Sequence, residues 1–541
     1  MNAGNRQLDR TAAGTTYDPH AARSVLIILA LMALMVTYVE TMVIPGFKSF
    51  VTFFNHAPAT TVVWIVSAYL LVGTVATPIF GKLGDKYGKK RTLVVVMSLY
   101  AVAVSLAGFS PNIGAAFGVD RTNQIYVLIA VRAFQGLGMG MFPLAFAMIP
   151  EVFPAARVGQ AQGIVSAMFA AGASVGLVGG GYITYQWGWQ TTYHTVIPVA
   201  VVLVVLAYVI LRESPHRTPA PIDYPGVGSL GFALATVMFG LTEGTYWGWT
   251  NFSAVSFAGV AWGVPQFFLL ALAGTVFFLL WEPRSKNPVV SFAALKRRNI
   301  WISNVNGVFV GVGMFLIFIA LVILVEYPYA PGFNLNEFQM GLLSIPATFS
   351  MLLLAPLWGR LVAVWGPKPV MIVGFGVMGL GSLGFVVFNS NVYQLMLLAI
   401  PTMVGNVGVL IAMSNIIVLS VSPRELGIQT GMNQTFRNLG SAIGPVIAAT
   451  VTASYMTTTI VPVSVEGIPL LVRVPTYAIE GFQFVFAITV TVSVVGLLLS
   501  LGLKNYRFLA DGSRATAEAG ARPEGEPRAE EPTVTAASRN S

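Results

Sequence analysis

Three ionisable side chains lie inside long, otherwise apolar stretches: Glu40, Arg132 and Arg437. A carboxyl out of water favours its neutral form. Glu40 could therefore hold a proton in an apolar setting and release it when water reaches it. A guanidinium does not titrate in the working range; it holds acceptors or anions. Other chemistries are missing. The 541 residues include no cysteine, which excludes thiolate metal sites and cysteine nucleophiles. The four histidines, His20, His56, His194 and His216, are too scattered to suggest a metal cluster. There is no phosphate-binding P-loop, no metalloprotease His-Glu pair and no nucleophile elbow. No cofactor is expected, and the chain does not read as an enzyme.

The elements that carry these residues follow from composition. Apolar residues make up 55% of the chain and charged residues 9%, against about 25% charged in an ordinary soluble protein. Mean hydropathy is +0.75. So few charges cannot clothe a soluble surface, so the expected class is an all-α polytopic membrane protein. A crossing helix needs about 20 apolar residues. Fourteen stretches qualify, near 24–47, 60–81, 92–110, 124–150, 159–182, 191–211, 226–246, 262–281, 301–326, 339–360, 368–389, 392–420, 428–455 and 481–503. They are spans one to fourteen.

Basic residues fall on alternate loops. If the N-terminus is cytoplasmic, sixteen lie in internal loops, including Lys82, Lys86, Lys89, Lys90 and Arg91, and only Lys48, Arg121 and Arg473 lie outside. That asymmetry places both termini in the cytoplasm of a multi-pass cell-membrane protein. It also explains the net charge of +9 through topology and anionic lipid, without nucleic acid. Residues 1–23 read as a loose leader and 510–541 as a disordered tail. Between spans thirteen and fourteen, Val461, Val463 and Val465 alternate with Pro462 and Ser464, Glu466-Gly467 suits a turn, and Leu470, Val472 and Val474 continue. The segment 456–478 reads equally well as a hairpin or an irregular loop.

The chain echoes itself. Pro78, Gly81, Lys82, Leu83, Tyr87 and Gly88 recur as Pro356, Gly359, Arg360, Leu361, Trp365 and Gly366. A weaker echo links the entry to span five, Pro154 to Gly163, with the entry to span thirteen, Pro423 to Gly431. Both echoes lie eight helices apart, and an even offset preserves orientation. Two parallel six-helix bundles, 24–211 and 301–509, are expected, with spans seven and eight inserted in 212–300.

The motifs then resemble a known group. The run from Gly81 through Asp85 and Gly88 to Arg91 resembles the signature loop of the major facilitator superfamily. Arg132, Gln135, Gly136, Gly138 and Gly140 resemble its span-four motif, and Gly172, Gly176, Gly179, Gly180 and Gly181 its antiporter motif. Tyr38, Glu40, Thr41 and Pro45 resemble the span-one motif of the fourteen-helix drug:proton antiporters, while Asp223-Tyr-Pro-Gly226 and Gly244 to Trp249 fit their inserted pair. Two positions depart: Leu177 stands where proline is usual, and Glu40 where aspartate is.

The resemblance implies proton-coupled export of hydrophobic or cationic small molecules by alternating access, with a small-molecule substrate, protons and membrane lipids as partners and a monomeric chain. Glu40 and Arg132 are the proton-coupling candidates. An acidic residue at mid-span costs about 2.5–3.5 kcal/mol on insertion scales and usually marks an ion path; the alternative is a carboxylate bonded for packing. Arg132 could instead be held structurally by backbone carbonyls or Gln135. Gly81, Asp85, Gly88 and Arg91 are the cytoplasmic gate candidates, with Asp85 able to cap a neighbouring helix; Ala363 replaces it in the second copy. Tyr38, Trp64, Tyr69, Gln135, Met139, Asn304, Asn433 and Arg437 are substrate-binding candidates, and Gly172, Gly176 and Gly180 suit close helix packing. Glu243 and Glu326, near external helix ends, read as solvated. The competing functions are a narrower transporter of a metabolite, lipid or organic anion, and a sensor or scaffold without flux.

Overall fold

The computed structural model describes Thr11 and residues 17–214, 217, 221–257, 260–286, 288–421, 426–465, 468–508 and 514–516. Among them, 13 helices are long and apolar enough to cross a membrane. The remaining expected span, thirteen, is a 29-residue helix, Leu426–Ser454. It is too polar to be counted with the others because Gln429, Asn433, Gln434, Arg437, Asn438 and Ser441 lie along it.

In the first half, span one is Pro19–Thr41, continued by a 3-10 step at Ile44–Gly46 and a short helix, Phe47–Phe53. Span two is Trp64–Tyr87 and span three Lys89–Gly108. Span four breaks in its middle: Gln124–Gln135, a 3-10 turn at Gly136–Gly140, then Met141–Val152. Spans five and six are Ala155–Trp187 and Trp189–Ile210. The inserted spans seven and eight are Tyr224–Trp247 and Val264–Trp281. The second half comprises Arg298–Glu326, Glu337–Trp365, Pro367–Val387, Val392–Ser420, Leu426–Ser454 and Ile479–Leu501, spans nine to fourteen.

Local chemistry sets several boundaries. Asp18 accepts from the backbone N–H of His20 at 3.0 Å with Pro19 at the first helical position, a combination that starts helices. Span one therefore begins inside what the sequence suggested was a loose leader. Spans two and three are joined through the single residue Gly88, at φ 107°, and spans ten and eleven through Gly366, at φ 84°. Those angles favour glycine, which is why the sequence echo includes it.

Helices that belong to one half pack through small residues. Span five lies on span one: a Cβ at Gly172, Gly176 or Gly180 would overlap Leu34 O, Tyr38 O or Met42 O. Span thirteen lies on span nine in the same manner, with Gly440 against Val308 O and Gly311 against Arg437 O. The inserted pair is tied to span two by hydrogen bonds from Trp64 Nε1 to Thr242 Oγ1 at 3.0 Å and between the hydroxyls of Thr60 and Tyr246 at 3.1 Å. Asp223 accepts from Trp281 Nε1 at 2.8 Å and so joins its two helices.

Strands appear where loops are long. β1 Val255–Phe257 pairs with β2 Val260–Trp262 between spans seven and eight, a ribbon the sequence did not suggest. β3 Met456–Val465 pairs antiparallel with β4 Ile468–Tyr477, so the open choice at 456–478 resolves to a hairpin, its register bracketing Glu466-Gly467. β5 Tyr506–Phe508 pairs with β6 Arg514–Thr516. The segment expected to be disordered from 510 thus contains a paired strand; residues 517–541 lie outside the described residues.

Candidate functional site

Glu40 sits one turn past the middle of the 35-residue stretch Pro19–Phe53. It is 5% exposed, and its Oε2 is buried without a hydrogen-bond partner among the described residues. The charges acting on it are Arg437, from span thirteen, and Arg132, from span four. Arginines from opposite halves therefore both act on the carboxyl.

The two arginines differ. Arg132 is fully buried. Its Nε donates to Ile65 O at 2.9 Å, its Nη1 donates to Gln135 Oε1 at 2.8 Å, and its guanidinium lies 4.6 Å from the Tyr69 ring centroid. Nη2 finds no partner among the described residues. Buried Tyr100 and Tyr193 feel its charge. The 3-10 turn beside it exists because span four is pressed against its neighbours: Gly136 abuts Tyr69 O and Gly138 the Tyr100 ring. Arg437 is partly exposed; its Nη2 donates to Gln434 Oε1 and its guanidinium lies 5.3 Å from the Phe169 ring centroid on span five. It therefore reaches across the seam between halves.

Other candidates take different places. Tyr38 lies against Gly179 of span five, half-buried. Tyr69 and Gln135 line the Arg132 pocket. Trp64 donates its N–H to the inserted pair, and Met139 fills the space left by Gly73. Asn433 Nδ2 donates to Ser303 O at 3.2 Å and Asn304 Oδ1 at 3.3 Å, which ties span thirteen to span nine. These amides are spent within the second half.

The gate candidates need a correction. Asp85 is exposed beside Lys89 and caps no helix among the described residues. Glu213, beyond span six, accepts from Lys90 N and Arg91 N, both at 3.1 Å, and so caps span three. Lys89 pairs with Glu151 at 2.6 Å. Glu213 carries no motif, since it lies more than a hundred residues from the helix it caps. Gly81 has ordinary contact with Pro143, whereas Gly84 is the tight position, against Leu144. Arg91 is exposed, its backbone N–H used by Glu213.

Glu326 also departs from expectation. It is 2% exposed, not solvated. Its Oε2 accepts from Lys48 N at 2.8 Å, joining span nine to the helix after span one. On the same face Ser49 Oγ donates to Glu337 Oε1, Tyr182 meets Phe338 at 5.2 Å, and Gly341 packs on Val178. Toward the face that carries the N-terminus, a Cβ at Gly163, Gly359 or Gly431, on spans five, ten and thirteen, would meet nothing within 4 Å. The halves thus meet on the far face, and these near-face glycines border open space.

Two helical half-bundles around a buried carboxyl, a buried arginine and a partly exposed one define a multi-pass membrane protein of the transporter type. The model of the Major Facilitator Superfamily matches residues 29–327 and 304–535, and the chain belongs to that family. It is 26% identical over 384 residues to the multidrug transporter protein MdtP of Bacillus subtilis, covering 70% of this chain and 66% of that one. It is 27% identical over 418 residues to the tetracenomycin C resistance and export protein of Streptomyces glaucescens, covering 74% and 70%. The chain thus spans about two thirds of the length of these relatives. Among solved structures, the human organic anion transporter MFSD10 shares the fold with a TM-score of 0.58 at 13% identity, covering 89% of this chain and 100% of that one. The nucleoside transporter NupG does so with a TM-score of 0.55 at 12% identity, covering 88% and 99%.

Proposed function

We propose that the chain is a cell-membrane secondary transporter that exports hydrophobic or cationic small molecules in exchange for protons. Glu40 is the proton carrier. The observation that carries this reading is its burial, with one oxygen unpartnered among the described residues, within the field of arginines from opposite halves. A neutral Glu40 suits the dry site. When the cleft opens to the cytoplasm, water and a cationic substrate compete with the proton for the carboxylate; reprotonation from outside releases the substrate. Arg132, fixed by three partners, positions the site. Arg437, held by fewer, moves with the opposite half. The proton gradient supplies the energy, both termini lie in the cytoplasm, and the halves rock about the site.

A second reading has one observation in its favour. Two guanidiniums around one carboxyl leave net positive charge, which suits an organic anion bound at Arg437. Purified protein in vesicles with an imposed pH gradient separates the two. Lipophilic cations should collapse the gradient, and Glu40→Gln should reduce that to background. Cation-dependent proton movement that persists in Glu40→Gln overturns the first reading. Flux confined to anions and abolished by Arg437→Gln establishes the second.

A further inference from the structure

Glu326 is a buried carboxyl that the proposed proton site does not use. It ends span nine, on the far face, which the charge asymmetry assigns to the outside. One oxygen accepts a backbone N–H from Lys48; the other, Oε1, is buried with no partner among the described residues. The charged groups that face it are Lys48, on the helix after span one, and Glu337, the first residue of span ten. The Lys48 ammonium bonds Asn334 Oδ1 at 2.8 Å, while Ser49 serves Glu337. Two carboxyls of the second half are therefore clamped onto two consecutive residues of the first.

This seam must part if the outside is to open. A buried charge without full solvation is costly, and two neighbouring carboxylates repel. A hydrated pair in an open cleft bears both charges at little cost. Closing the seam therefore favours a proton on Glu326, and losing that proton favours opening.

We propose that Glu326 is a positioning residue for transport: it takes a proton from the outside when the two halves close on the far face, and its release accompanies reopening. The inference rests on the alternating-access reading above. It adds a second proton-dependent step, separate from the exchange at Glu40, and it gives external pH direct control over which way the transporter faces. No bond other than the carboxyl O–H forms or breaks.

The natural absence of cysteine makes the test direct. Val178→Cys places a thiol under Gly341 in the closed seam, and Phe338→Cys gives an independent reporter opposite Tyr182. Labelling with a membrane-impermeant maleimide is measured in intact cells without substrate, from about pH 5.5 to about 8.5, a range wide enough for a buried glutamate. Ser253→Cys, on an exposed loop, corrects for the reactivity of the thiolate. Corrected labelling should rise several-fold with external pH. Glu326→Gln should leave it low and flat, and Glu326→Asp should restore the pH dependence. Labelling of the parent that does not change with pH, or full pH dependence in Glu326→Gln, overturns the proposal. Because no substrate enters, the result is independent of what is carried. PH dependence lost only in Glu40→Gln would leave the proposed function standing and remove this one.

Discussion

The two halves repeat a scaffold but not its charges. Span five rides on span one, and span thirteen on span nine, each through glycines that abut a neighbour's backbone carbonyl. Close approach gives dispersion contact, the main attraction between helices that lipid would otherwise solvate equally well. The buried groups differ. Away from the span ends the first half holds Glu40 and a fully enclosed Arg132, while the second holds amides at Asn304, Asn306 and Asn406 and one partly exposed Arg437, its buried carboxyl Glu326 lying at a helix end. Its loop also differs: Gly88 stands beside the capping Glu213, whereas Gly366 is followed by Pro367. The packing requirement applies to both halves. The carboxyl that exchanges its proton for substrate is needed once, and its site can sit on one side of the seam while the other supplies a moving partner.

The sharpest break in the scaffold is Gly176→Leu. Its side chain would drive span five off Tyr38 and Thr41. Overpacking typically costs about 1–3 kcal/mol and sometimes more. Loss of monodisperse protein in detergent chromatography is expected, and Gly440→Leu should match it in the second half. Normal yield from either would show that the glycines are not the packing seam.

Next in size is the contrast between arginines. Arg132→Met takes their donor away from the buried Gln135 Oε1 and Ile65 O; leaving a buried acceptor unsatisfied costs about 1–3 kcal/mol. Thermal stability in detergent should fall markedly. Arg437→Met should fold with nearly parental stability yet lose most flux. Equal stability losses would erase the distinction between a fixed and a moving arginine.

The loop comparison predicts smaller effects. Glu213→Gln removes the charge that caps span three and should cost about 0.3–1 kcal/mol, seen as a modest drop in melting temperature. Gly88→Ala should cost more, because the new methyl meets the Glu213 carboxyl at a φ that disfavours alanine. Gly359→Ala, facing open space, should stay within about 0.5 kcal/mol. A larger loss there would place a neighbour where the structure has none.

Much of this was legible beforehand. The spans, the repeat, the glycine seam and the ionisable trio all rest on patterns local to a few turns. Glu213 and Glu326 were not legible. Both are glutamates at helix ends, and nothing nearby distinguishes a solvated carboxyl from a buried one. Trp64 and Met139 were read as pocket residues because aromatic and thioether side chains suit pockets and packing alike. Which role each takes depends on what another helix brings against it.

The sequence alone determined which stretches are apolar enough to cross a bilayer and which faces of the helices are smooth enough to pack, because hydropathy and glycine spacing act within a single helix. Only the tertiary structure decided that Glu40 is buried within the field of Arg132 and Arg437, and that Glu326 is sealed against Lys48. Burial and electrostatic partnership are properties of the space between helices, set by how distant segments dock.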